Sequence, residues 1–239
     1  MLAANATVVT TVSEALRRDV SNALRIRPAK LIVVHNGVQP PTIESDLGLS
    51  ANNQSVLDSK RVVAVGNIRV PKNYPLLLEA FALVRREFTQ ATLHIVGQQD
   101  QHGLYESLQS RAEQPDLAGS VVFHGYVPNP EEIVRRASAF VLASTQEGFS
   151  LATIEAMLMG VPVLTTRSGG PEEIVRDGET GLLVPVNDSL ALATSLVRLL
   201  KDRDFALTLA ASAQSDARTR FSIDAMVANF LGLYREAMT

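Results

Sequence analysis

The chain has 239 residues, 46% of them hydrophobic, which is enough to bury a sizeable core and excludes disorder as the default state. Its 22 basic and 25 acidic side chains leave a formal charge of −3 with no dense Lys/Arg run, which excludes the electrostatic footprint of a nucleic-acid binder. The lack of cysteine excludes thiol catalysis, disulfides and thiolate-bound zinc, and four scattered histidines leave little for another metal, so a cytoplasmic protein with no metal or other cofactor is expected.

The opening stretch MLAANATVVTTVSEALRRDV has neither a basic leader nor a long apolar run. It reads as neither a secretory signal nor a membrane span, so membrane contact is expected to be peripheral at most. Residues 1–38 read as strand (VVTT), helix (Ser13 to Leu24, with Ser13 as cap) and strand (KLIVVHNG), too little to bury a core by itself. The polar, aperiodic segment over 39–60 reads as a linker.

Beyond it, apolar runs alternate with helical patterns. Strands are predicted at 61–67, 91–97, 120–126, 139–144, 161–166 and 181–185, with helices from about Tyr74, near 103–113, 130–137, 150–159 and 171–176. The strands are continuously apolar, as in a parallel sheet covered on both faces. The fold class expected is α/β, a Rossmann-like doubly wound parallel sheet with a helical C-terminal extension. After Asp188 the pattern is helical, with Leu192, Leu196, Leu199 and Leu200 on one face and a last helix from about residue 223 to 237.

Ligands of open α/β sheets sit at the carboxyl ends of the strands, so the loops there carry the candidates. NIRVPKNYP places Arg69 and Lys72 just before a helix, where cations and backbone N–H groups can hold a pyrophosphate; the plainer reading is two solvated charges. HGYVPNP offers Gly125, Tyr126 and Val127 to a flat base, or is an ordinary turn. AFVLASTQEGFSLATIEAMLMGVPVLTT puts Glu147 at a strand end and Glu155 in the next helix, where both carboxylates can border one crevice; alternatively both are surface glutamates. Carboxylates there can accept from sugar and ribose hydroxyls, while N–H groups from Phe149 to Leu151 face phosphates. His94, inside an apolar strand, reads as a satisfied core histidine, and His35, His102 and His124 share no ligand spacing with it, so no metal site is expected. Gly169 and Gly170 before Pro171 read as a tight turn into a helix.

Three segments together resemble glycosyltransferase family 4, the retaining, nucleotide-sugar-dependent enzymes of GT-B fold. EGFSLATIEAMLMGVPVLTT resembles the family's E-x7-E region, SGGPEEIVRDGETGLLVP the segment after it, and VVAVGNIRVPKNYPLLLEAFA its phosphate-binding strand, loop and helix. TVVTTVSEALRRDV resembles the end of the family's first domain, KLIVVHNGV the entry to its second, and FSIDAMVANFLGLYREAM its C-terminal helix. The resemblance implies a remnant of the N-terminal acceptor domain at 1–38, a linker at 39–60, a nucleotide-sugar-binding domain at 61–220 and a helix at 221–239 packing towards an absent first domain. The chain would then be a piece of a longer product or one half of a split enzyme, with that domain or a complementary chain as partner.

By the same resemblance Lys72 is the pyrophosphate ligand and Val127 a base-side contact, Glu147 holds the donor sugar and Glu155 the ribose. Gly148, Phe149, Ser150 and Leu151 line the phosphate–sugar turn. Asn67 stands where the family has an arginine; either Arg69 supplies that cation or the diphosphate is held with one cation fewer. The donor would be a nucleotide-diphosphate sugar and the acceptor a hydroxyl of a saccharide, lipid or other molecule, with the configuration retained and no glutamate acting as covalent nucleophile. Two alternatives stand beside this: a non-catalytic module binding nucleotide sugar or a partner chain, and a related GT-B epimerase or phosphorylase. A dinucleotide oxidoreductase needs a G-x-G-x-x-G turn, which the loop after VVAVG lacks.

Overall fold

A computed structural model describes residues 8–40, 59–99 and 103–238, so most of the expected linker, and His102, lie outside the described residues. The chain begins with a small parallel pair, β1 (Val9–Thr11) and β2 (Leu31–Val33), joined by helix α1 (Glu14–Leu24). The Ser13 Oγ accepts from the Leu16 N–H at 3.0 Å, so the expected cap is in place and satisfies one of the helix's orphan donors. No residue of α1 is buried, in keeping with a unit too small to make its own core.

The main sheet has six parallel strands: β3 (Arg61–Val65), β4 (Thr92–Val96), β5 (Val121–Gly125), β6 (Ala139–Leu142), β7 (Val163–Thr166) and β8 (Leu182–Val184). Their spatial order is β5-β4-β3-β6-β7-β8, so the chain reverses direction of growth between β3 and β6 and opens a crevice at their carboxyl ends. The pleat sends Val62 and Ala64 to one face and Val63 to the other.

On the first face lie α2 (Tyr74–Glu87), α3 (Leu104–Ala112) and α7 (Ser189–Lys201). Leu77, Leu78, Phe81 and Val84 of α2 and Leu192, Leu196, Leu199 and Leu200 of α7 repeat at three and four residues, so each helix buries one stripe. Each such leucine contributes about 1.5–3 kcal/mol of burial. On the second face lie α5 (Leu151–Leu158) and α8 (Arg203–Arg220), between the short helices α4 (Glu131–Arg135) and α6 (Pro171–Ile174). Ala213 and Ala217 of α8 are small enough to bring that helix close beside Met157 and Phe221. The last helix, α9 (Ile223–Met238), leaves Ile223, Val227, Leu231 and Tyr234 exposed. Among the described residues no helix is long and apolar enough to cross a membrane.

The expected Rossmann-like sheet with a helical C-terminal extension is therefore present, with two local differences. The double cover does not reach β5: this edge strand exposes Val122 and is half-buried elsewhere. His94 is not a core histidine. Its neighbours Leu93 and Ile95 point into the first-face core, so the pleat turns His94 outward, half-buried, where Nδ1 meets His124 Nε2 at 2.8 Å and the rings stack at 5.1 Å.

Candidate functional site

The crevice between β3 and β6 is floored by glycine. After β3 the Gly66 N–H donates to Val96 O at 2.8 Å, and the Gly97 N–H donates to Gly125 O at 2.9 Å, stitching the loops after β3, β4 and β5 side by side. A Cβ on Gly97 would sit 2.0 Å from Gly66 O, so only glycine permits this approach. Asn67 joins the same seam, its Oδ1 accepting from the Gln98 N–H at 3.1 Å. Val127, two residues past Gly125, is half-buried beyond the end of the edge strand.

The chain then makes a single 3-10 turn, Val70–Lys72, entered through exposed, extended Arg69 and closed by Asn73 in the left-handed region at φ 52°. That turn swings Lys72 back over the end of β3, where a Cβ on Gly66 would lie 3.0 Å from its Cε. Tyr74, the first residue of α2, is buried and its hydroxyl donates to Gly66 O at 2.5 Å, clamping the loop from below. Burial, and then the charge of Glu147, push the Tyr74 phenol well above its usual range, so it stays a neutral donor.

Glu147 arrives from the far side of the crevice. Its N–H donates to Ser168 O and its carbonyl accepts from the Gly170 N–H, both at 2.8 Å, so the loops after β6 and β7 are zipped together beneath it. Its Oε2 accepts from Lys72 Nζ at 2.5 Å and from Ser144 Oγ at 3.2 Å, with side chains only 23% and 15% exposed for Lys72 and Glu147. The Thr145 N–H donates to Pro71 O at 2.8 Å, tying the lysine turn to the glutamate loop. The sequence-predicted cation and carboxylate thus meet at one point.

The next residues open α5. Gly148 has open space where a Cβ would be, whereas a Cβ on Gly170 would fall 2.3 Å from Gly148 O. The Gly169–Gly170 turn leads into α6, as read from the sequence, and packs against this loop's backbone. Ser150 is buried and its Oγ caps α5, accepting from the Thr153 N–H at 3.3 Å and from the Thr153 hydroxyl at 2.8 Å. Its hydroxyl is spent on the helix, which leaves only its backbone for any ligand. Leu151 is 42% exposed at the mouth of the helix. Phe149 turns its ring away from Lys72 and stacks on His35, centroids 5.3 Å apart. Glu155, one turn into α5, is half-buried; burial first, then the charge of Glu131, raise its carboxyl above the usual range.

Sequence reasoning missed Glu173. From α6 its Oε2 and Oε1 accept from the Glu14 and Ala15 N–H groups at 2.8 and 3.0 Å, and Oε2 lies 3.2 Å from His35 Nε2. A carboxylate from the main sheet thereby caps α1, pinning the first unit to the crevice. The adjacent glutamates after Gly-Gly-Pro were its signal. Among the described residues no group of three His, Asp or Glu side chains is placed to hold a metal ion.

Chemically, the crevice sets one ammonium, two carboxylates and the N–H groups at the start of an eight-residue helix around a glycine floor, a setting that suits an anionic ligand carrying hydroxyls. Comparisons agree. The chain is 26% identical over 234 residues to N-acetyl-alpha-D-glucosaminyl L-malate synthase of Bacillus anthracis, covering 97% of this chain and 60% of that protein. It is 31% identical over 190 residues to D-inositol 3-phosphate glycosyltransferase of Corynebacterium urealyticum, covering 77% of this chain and 44% of the relative. The crystal structure of Anabaena HepE in complex with UDP superposes with a TM-score of 0.85 at 24% identity, over 97% of this chain and 64% of that one, a likeness of fold. The chain thus spans well under two thirds of the length of these curated relatives. The model of the family Glycosyl transferases group 1 matches residues 59–202, more than half of the chain and the whole crevice, and the chain belongs to that family.

Proposed function

We propose that this chain binds the donor of a retaining, family 4-type glycosyltransferase, a nucleotide-diphosphate sugar, and supports its transfer to a hydroxyl of a saccharide, lipid or other acceptor. The observation that carries the reading is the Lys72–Glu147 contact at the carboxyl ends of β3 and β6, immediately before the N-terminus of α5. A donor's diphosphate laid across that helix end takes Lys72 as counter-charge, and frees Glu147 to accept from sugar hydroxyls. As the bond from sugar to diphosphate breaks, negative charge grows on the leaving oxygens; Lys72 and the α5 N–H groups, already oriented, stabilise it without reorganisation. Arg69, at the entrance of the lysine turn, is the second cation in place of the family arginine, and Asn67 braces the loop.

Glu155 holds the ribose and Val127 borders the base. The acceptor attacks from the face the diphosphate leaves, which retains configuration, and no protein nucleophile or metal ion takes part. The UDP complex of HepE makes UDP the first nucleotide to try. Incubating the chain, and the longest product that contains it, with UDP-glucose and a panel of sugar and polyol acceptors, and following the glycosides formed by NMR, tests the reading. A product of the donor's own configuration, formed far more slowly by Glu147→Ala, supports it; an inverted product, or an unchanged rate in that variant, contradicts it.

A further inference from the structure

We propose that His35 is a positioning residue for the donor loop, fixing the backbone at Phe149–Leu151 through a flat stack on Phe149; this rests on the reading of that loop as the diphosphate site. His35 follows β2, in the small N-terminal unit, more than a hundred residues from the loop it touches. Its ring lies 12° from parallel with Phe149, and both rings meet the edge of buried Phe221 at 5.8 Å. Two aromatic rings from two separate segments, His35 and Phe221, thus flank Phe149, the aromatic side chain of the donor loop.

The ring cannot drift. Its Nε2 lies 3.2 Å from Glu173 Oε2, and Glu173 is itself held by the two N–H groups of α1. Arg220 donates to Glu173 O and sets its guanidinium over the Phe221 ring at 4.6 Å, so the far wall is fastened as well. Phe221 O in turn accepts from the Val38 N–H at 2.8 Å, returning the chain to the segment that carries His35. The loop has other restraints: within it Ser150 caps α5, before it Glu147 is zipped to the β7 loop, and Gly170 packs against the backbone of Gly148 and Phe149. Phe149 is held in addition by its ring, and through it His35 sets the backbone that leads into the α5 N-terminus.

The experiment separates the ring from its hydrogen bond. The wild-type chain is titrated by calorimetry with UDP, GDP and ADP beside His35→Phe, which keeps the stack, and His35→Gln, which keeps a partner for Glu173 and loses the stack. Backbone hydrogen exchange at residues 148–151 and the melting temperature are followed in all three. The expected result is nucleotide binding weakened about fivefold or more in His35→Gln and restored in His35→Phe, with faster exchange at the loop in His35→Gln alone. Equal affinities in wild type and His35→Gln would overturn the proposal, as would a loss in His35→Phe that matches His35→Gln. If the wild-type chain binds none of the three nucleotides, the donor reading falls, and unchanged exchange at 148–151 in His35→Gln would then overturn the positioning role on its own.

Discussion

Lys72 Nζ and Glu147 Oε2 are 75 residues apart in the sequence and 2.5 Å apart across the crevice. The contact pairs two partly buried charges, and on the proposed reading a donor diphosphate takes the carboxylate's place at the lysine. On that reading diphosphate and Glu147 compete for one ammonium.

The first prediction follows from that competition. Glu147→Ala frees Lys72, so bare nucleoside diphosphate should bind this variant at least as tightly as wild type, while the added affinity of the sugar-bearing nucleotide disappears. Paired titrations with UDP and UDP-glucose check this. Weaker UDP binding by Glu147→Ala would show that Lys72 depends on Glu147 for its placement.

Glu155 yields a pH dependence. Its carboxyl is raised by burial and by Glu131, so it takes up a proton above the ordinary carboxylate range, and a ribose grip that needs the ionised form weakens as the pH falls through that raised value. Glu155→Gln should flatten the pH profile of nucleotide affinity. Because the fold bears the cost of ionising this group, the same variant should melt higher at neutral pH while binding less well.

Two glycines on facing loops should behave oppositely. Gly170→Ala drives a methyl to 2.3 Å from Gly148 O, and costs about 1–3 kcal/mol by overpacking. Gly148→Ala meets nothing and should stay within about 0.5 kcal/mol of wild type. Denaturant melts of the two variants decide this; equal losses would show the loops to be less tightly apposed.

The His94–His124 pair predicts acid sensitivity away from the crevice. Burial, then Arg61 and His124, lower His94 to about 4 from its ordinary 6.5. The folded pKa is depressed, so the unfolded chain binds the extra proton between those values; stability is full above about 6.5 and is lost as the pH falls towards 4. His94→Gln keeps a hydrogen-bonding side chain opposite His124 and should reduce the slope in that window. An unchanged slope would place the acid sensitivity elsewhere.

Much of this was legible in the residues. The cap at Ser13, the leucine stripe of α7 and the strand–turn–helix around Lys72 are local patterns, decided within a few residues by period and capping chemistry. Glu147 could be found because strand ends are where α/β sheets place ligands. What escaped depends on strand order and long-range contact. His94 and His124 have no telling spacing, yet β4 and β5 lie side by side and bring them together. Glu173 was not singled out at all, because the α1 N–H groups it accepts from lie 158 and 159 residues away. Ser150 read as a lining residue, and the fold spends its hydroxyl on a cap.

The most direct test of the account is a calorimetric titration of the chain with UDP, GDP and ADP, with and without magnesium, repeated with Lys72→Ala and Glu155→Ala. The account predicts metal-independent binding of one nucleotide, weakened about tenfold or more by Lys72→Ala, as loss of a charge-assisted hydrogen bond requires, and weakened also by Glu155→Ala. No binding of any of the three, or binding indifferent to both substitutions, would contradict it.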